Sequence, residues 1–138
     1  MAESTGSDRL RLVVVTHERK VLEEDCDSVS LPAQLGYVTI LPQHTPLVST
    51  LAVGEMSYNQ AGADRWLSVR GGFFEISDNV VTVLADHARR PEEIDVEEAE
   101  RDLEEARNAM ATAAGEEVTR TRHALQDAEA RLRVAQRH

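Results

Sequence analysis

The period of the apolar residues changes once along this chain, at Arg89-Arg90-Pro91. That single change constrains the fold more than any other feature. Before it, apolar side chains alternate in short runs, the period of a half-buried strand. After it, they recur every three or four residues, the period of a helix face. A chain of 138 residues has room for one small domain and an appendage. The expected organisation is therefore a short polar tail over 1–8, disordered because nothing in it can be buried, a β domain over 9–90, and a helical segment over 91–138.

Within the β part, Leu10, Leu12 and Val14 alternate with Arg11, Val13 and Val15. Val21 and Leu22 restart a strand, Glu23 to Asp25 read as an exposed acidic link, and Val29 and Leu31 point inward. Pro32-Ala33-Gln34-Leu35-Gly36 reads as a loop, with Pro32 ending the ladder and Gly36 allowing the chain to return. Val38, Ile40 and Leu41 suit a buried, pleated surface. Pro42 and Pro46 then brace a corner around His44, before a short strand over Leu47 to Leu51. Gly71-Gly72 mark a bend or bulge where backbones approach closely. Ser77-Asp78-Asn79 turn a hairpin into Val80 to Ala85. Many short strands with closely spaced turn signals make a sandwich or small barrel.

Beyond Pro91, Val96, Ala99, Leu103, Ala106, Met110 and Ala113 form one helical seam. Val118, Thr121, Leu125, Ala128, Leu132 and Ala135 form another, and Gly115 separates them. A short link between two helices implies an antiparallel hairpin. Asp95 and Glu98 have the spacing of a capping box. The seams are rich in alanine and bury little area, so the hairpin should detach readily from its neighbours. The first helix opens acidic, from Glu92 to Glu100, and the second ends basic at Arg131, Arg133 and Arg137. An antiparallel fold brings these ends together, in the sense the helix dipoles favour. The same basic end could instead serve an acidic partner.

Net charge of -10 argues against nucleic acid and against anionic lipid as partners. Cys26 is the only cysteine, so neither an internal disulfide nor a thiolate metal site is available. No apolar run reaches the roughly 20 residues that span a bilayer. These features predict a soluble chain of a reducing compartment that meets membranes only through a partner. No catalytic constellation emerges. His44 has no second histidine at ligand spacing. Asp86 and His87 are adjacent on a strand and point to opposite faces. Gly71-Gly72 lacks the lysine and following helix of a phosphate loop.

Four motifs in order resemble one family, the ε subunits of bacterial F-type rotary ATP synthases, counterparts of the mitochondrial δ subunit. Ile40-Leu41-Pro42-Gln43-His44-Thr45-Pro46-Leu47 is similar to the family's Ile-x-Pro-Gly-His-x-Pro-Leu. Val69-Arg70-Gly71-Gly72-Phe73-Phe74-Glu75 is similar to Ser-Gly-Gly-Phe-x-Glu, and Val81-Thr82-Val83-Leu84-Ala85 matches Val-Thr-Val-Leu-Ala. Glu93-Ile94-Asp95 opens the helical hairpin, which ends Arg131-Leu132-Arg133-Val134-Ala135. The resemblance implies a ten-stranded sandwich followed by a two-helix hairpin, in a non-catalytic subunit of the central rotor stalk. It implies binding to the γ subunit and the c ring, on the cytoplasmic side of the cell membrane. Pro32 to Gly36 would face the ring. The hairpin would extend to the α/β catalytic head and restrain ATP hydrolysis. Arg120, Arg122, Arg131, Arg133 and Arg137 would then face acidic segments of the head.

Some family members bind ATP at Ile-Asp-x-x-Arg-Ala. This chain keeps Ile94, Asp95 and Ala99 but carries Glu98 in place of the arginine, with Glu105 and Asp127 at further arginine positions, while Arg120 and Arg131 match two positions of the second helix. Carboxylates repel a triphosphate, so ATP binding is expected to be weak or absent, and no other cofactor is implied. The alternative function is a free-standing adapter or chaperone that presents its hairpin to clients. The small tip at Ala113, Ala114 and Gly115 offers such clients little apolar surface.

Overall fold

The computed structural model describes residues 9–137; the expected tail over 1–8 and His138 lie outside the described residues. Eight strands come first: β1 (Leu10–Val15), β2 (Lys20–Cys26), β3 (Ser28–Ala33), β4 (Gly36–Ile40), β5 (Leu47–Thr50), β6 (Val53–Gln60), β7 (Ala63–Ser77) and β8 (Val80–Arg89). A 3-10 turn at Pro91–Glu93 leads to two helices, α1 (Val96–Met110) and α2 (Glu116–Ala135). The strands hydrogen-bond in the order β2-β1-β8-β7-β6-β3-β4, with β5 added to β7. All pairings are antiparallel except β1 with β8.

Eight strands stand among the described residues where ten were expected, and β7 runs through both layers of the sandwich. Its first half pairs with β6 as far as Arg70, and its second half pairs with β5 from Phe73. Gly71 and Gly72 lie between, at φ 70° and 114°. A Cβ on Gly72 would lie 2.0 Å from the Leu84 carbonyl oxygen, so β8 crosses too closely for any side chain. The bend also swaps the parity of β7. Leu67 and Val69 face the core before it, and Phe74 and Ile76 face it afterwards. Leu10, Leu12, Val14, Val29, Leu31 and Ile40 are buried as expected, and they meet Met56, Val81 and Val83 in the core.

Three local expectations need correction. Glu23 to Asp25 are not a link; they continue β2, paired with Val13, Leu12 and Arg11 on β1. Arg11 explains this, since its guanidinium hydrogen-bonds both Glu23 (2.9 Å) and Asp25 (2.9 Å) across the ladder. Pro32 does not end the ladder either. It stays in β3 opposite Tyr37, where pairing with β6 has already stopped at Ser30. An edge position tolerates the missing N–H. The expected five-residue loop shrinks to a tip of Gln34 and Leu35, with Ala33 and Gly36 paired beneath it. Leu41 is exposed rather than buried.

The hairpin is antiparallel, with α2 lying on β6 and β7 and α1 lying on α2. Asp95 caps α1 by accepting from the Glu98 N–H at 3.1 Å. The Glu98 carboxylate does not complete the expected capping box; it lies 3.8 Å from Arg131 instead.

Candidate functional site

β6 departs from alternation in a way that locates the site. Gly54, Glu55, Met56, Ser57 and Tyr58 are all buried, so both faces of this strand are covered. Met56 and Tyr58 belong to the core. Glu55 and Ser57 point the other way, toward α2. In register with them on β7 stand Ser68 and Trp66.

α2 has two opposed faces. At 100° per residue, Leu125, Ala128 and Leu132 lie on the side of α1, as expected. Asp127, Ala130 and Val134 lie on the opposite side, with Ala130 and Val134 fully buried, and Arg137 follows two residues beyond the helix end. Their small side chains allow the helix close to the sheet. Arg133 and Arg137, one turn apart, both donate to the Glu55 carboxylate. Arg137 Nε reaches Oε1 at 2.8 Å and Arg133 Nε reaches Oε2. The Arg137 guanidinium also stacks over Trp66, 3.9 Å from the ring centroid. The expectation that Arg133 and Arg137 meet the acidic start of α1 is therefore corrected: a strand carboxylate lies nearer than the helix does.

Arg131 does meet α1. Its guanidinium donates to Asp102 at 2.8 Å and lies 3.2 Å from Asp127 and 3.8 Å from Glu98. Asp127 in turn lies 3.8 Å from Arg70 on β7. One arginine thus links both helices and, through Asp127, the sandwich. Around it is a cleft of about 250 Å³ lined by Glu93, Asp95, Glu98, Asp102 and Asp127 against Arg70, Arg89 and Arg131. Ile94 also lines it, while Ala99 is buried in the helix pair. Arg120 lines a neighbouring cleft with Glu105, and Arg122 is exposed.

The link between domains is pinned as well. Arg19 donates to Glu93 at 3.0 Å, and the Arg90 N–H donates to the same oxygen at 2.9 Å. Burial pushes the Glu93 carboxyl up, but these two donors more than offset it, so its pKa is held below the ordinary value. Arg90 Nη2 also donates to the Val21 carbonyl.

At the other end of the sandwich, Leu35 is fully exposed at the β3–β4 tip. Pro42 and His44 are half-buried and Pro46 is exposed. His44 orders the corner locally, with Nδ1 2.7 Å from the Thr45 carbonyl and its N–H donating to Leu41. The sequence alone does not single out Glu55, Trp66, Ala130 or Val134 as site residues. Ala130 and Val134 belong to a second stripe on α2, spaced three and four residues apart from Asp127 to Val134, that the first seam masks, and no local signal marks Glu55 or Trp66.

A family model described as ATP synthase, Delta/Epsilon chain, beta-sandwich domain matches residues 9–91, and one described as the long alpha-helix domain of the same chain matches residues 92–136. The chain belongs to the ATP synthase delta/epsilon family. An ATP synthase epsilon chain of Solibacter usitatus is 42% identical over 129 residues, covering 93% of this chain and 96% of that one. The epsilon chain of Syntrophobacter fumaroxidans is 39% identical, covering 95% and 98%. Among solved structures, one of the Euglena gracilis mitochondrial ATP synthase, OSCP/F1/c-ring, aligns with a TM-score of 0.78 and 25% identity, over 94% of this chain and 82% of that one. A chain of the Tetrahymena thermophila ATP synthase central stalk and c ring shares the fold, at a TM-score of 0.55 and 10% identity over 92% and 93%. The epsilon family is a stalk subunit of its complex and not the catalytic one. Among the described residues, no helix of this member is long and apolar enough to cross a membrane.

Proposed function

We propose that this chain is a rotor subunit of a proton-translocating F-type ATP synthase, joining the catalytic head to the c ring and restraining ATP hydrolysis through its C-terminal helices. The observation that carries this reading is the match of both family descriptions, in order, across residues 9–136. Surfaces of the sandwich suit the expected partners. Phe73 and Leu84 are cross-strand neighbours on β7 and β8, both exposed, and Val48 on β5 extends the apolar area. Such a patch suits the γ subunit. The Gln34-Leu35 tip, held rigid by the β3–β4 pairing and the Pro42–Pro46 corner, suits the c ring. The subunit would sit on the cytoplasmic side of the cell membrane without entering it. Extended, the hairpin would direct Arg120, Arg122, Arg131, Arg133 and Arg137 at acidic segments of the α/β head.

The cleft beside Asp95 and Glu98 does not suit ATP. Its Arg131 is already engaged by Asp102 and Asp127, and five carboxylates line the walls. A triphosphate entering there meets like charge with little free cation to offset it. Calorimetry on the isolated protein should show no saturable ATP binding at micromolar concentration; a micromolar isotherm would overturn this. The rotor reading is tested by ATPase assay of the assembled complex with and without truncation after Pro91, together with co-purification with γ. Truncation should stimulate hydrolysis. Unchanged hydrolysis removes the inhibitory role, and a stable chain indifferent to γ removes the rotor role.

A further inference from the structure

Glu55 is buried on the outer face of β6, between Ser57 and Ser68, and its two oxygens are taken by Arg133 in the last turn of α2 and by Arg137 just past its end. We propose that Glu55 is the receptor that holds the hairpin on the sandwich, a single carboxylate clasped by Arg133 and Arg137, and that this clasp sets how often α2 leaves. The inference rests on the reading that the hairpin can leave at all.

The chemistry of the interface makes the clasp its main specific contact. The apolar part of α2 that faces the sheet consists of Ala130 and Val134, which bury little area. The sheet surface beneath is Glu55, Ser57 and Ser68, groups that water can solvate as soon as the helix lifts, with Trp66 the one large apolar group beside them. Ala130 and Val134 are small and Glu55 is charged, so neither surface is an irreversible apolar seal. Ion pairing supplies the orientation, because two arginines one turn apart fit one carboxylate in only one register. The second ion pair to the sandwich, Arg70 with Asp127, is longer at 3.8 Å, and Asp127 is shared with Arg131.

The clasp also explains how the helix could exchange partners. Arg133 and Arg137 are the groups that the extended state would offer to the head. While the hairpin is down, Glu55 occupies them. Leaving the sandwich therefore trades one carboxylate for another instead of exposing unpaired cations, which keeps the two states close in free energy. By contrast, Arg131 binds within the hairpin, to Asp102 on α1. It can travel with the pair, so the two helices remain together when the clasp opens.

Trp66 provides the readout. It is the only tryptophan in the chain and lies under Arg137. In the full-length protein at low salt, Glu55→Gln should raise acrylamide quenching of Trp66 at least about twofold and speed amide exchange in the last two turns of α2 by about tenfold. Arg133→Gln with Arg137→Gln should do the same, and combining all three changes should add nothing further, because one contact cannot be broken twice. Glu104→Gln, at an exposed α1 residue with no ion pair among the described residues, should change neither signal. Wild-type quenching and exchange in Glu55→Gln would overturn the proposal, as would effects that add in the triple variant. Should Glu55→Gln fail to fold, the arginine pair, exposed at the C-terminal end of α2, carries the test alone. The ATPase truncation assay separates the two readings. If truncation leaves hydrolysis unchanged while Glu55→Gln frees α2, the inhibitory role falls and the clasp stands. If truncation stimulates hydrolysis while α2 stays protected in Glu55→Gln, the clasp alone falls.

Discussion

Gln43 occupies a left-handed backbone position, φ 72°, in the proline-braced corner between β4 and β5. Its N–H donates to the Asn79 side chain at 2.6 Å, which fixes the turn. A side chain with a Cβ costs roughly 1–2 kcal/mol there, and glycine, the usual residue of the resembled motif, avoids that cost. Some of the gain is lost to the greater freedom of glycine in the unfolded chain. Gln43→Gly should therefore stabilise the protein by about 0.5–1 kcal/mol in urea unfolding. A lower midpoint would mean that the Gln43 side chain contributes more than its backbone strain removes. Glu93 gives a pH signature. Its folded pKa lies below the unfolded value, so the unfolded chain binds the proton more readily. Its contribution is complete above the unfolded carboxyl value, near about 4.3, and is lost as pH falls through the folded one. Wild type should be more stable than Glu93→Gln at neutral pH, and the gap should close on acidification. A gap of constant size across that range would show that the Arg19 and Arg90 bonds are not what lowers the pKa.

α2 is an element with two jobs, one on each face. Its α1-facing seam was legible because a 3.6-residue period survives in any helix that buries one stripe. The sandwich-facing stripe was not, because two alanine-rich faces around one helix blur a single period. The same limit applies to β6. Its core residues Met56 and Tyr58 alternate normally, and nothing in sequence shows that Glu55 and Ser57 are covered as well. Charge along the sequence offers Arg133 and Arg137 the acidic start of α1 or an acidic partner outside the chain, whereas the partner in the fold, Glu55, lies about eighty residues away along the chain. The inward parities of β1 and β3 were legible, since each depends only on neighbours along one strand. The continuation of β3 through Pro32 was not, since it depends on where β6 stops. Arg131 tests the inner face. Arg131→Gln removes the donor to Asp102 and leaves Asp127 and Glu98 without their shared cation. Hydrogen bonds to charged groups contribute about 1.5–3 kcal/mol, and partial exposure places this one at the lower end. Amide exchange in α1 should quicken by about tenfold while exchange in β1 and β8 stays unchanged. Equal protection of α1 in both proteins would show that the apolar seam alone holds the helices together.

At the scale of the whole molecule, the sandwich closes its core without help from the hairpin. Every residue of the main apolar cluster, from Leu10 to Ala88, lies before Pro91. The hairpin's buried groups, Ala99, Ala106, Ala128, Ala130 and Val134, stand outside that cluster. Removing the helices therefore leaves no cavity among the core side chains, which is the usual origin of large losses. What it uncovers is Glu55, Ser57 and Ser68, which water can solvate, and Trp66 as the one large apolar group. It also removes the Glu93 bond to Arg19 at the end of β8. Truncation after Pro91 should accordingly give a folded sandwich with a single cooperative thermal transition. A loss of about 1–2 kcal/mol would lower the midpoint by about 4–16 °C for a domain of this size. Circular dichroism and calorimetry measure both quantities. A broad transition with loss of near-ultraviolet structure would mean that α2 completes the sandwich, and a helix that completes a core could not also be one that leaves it.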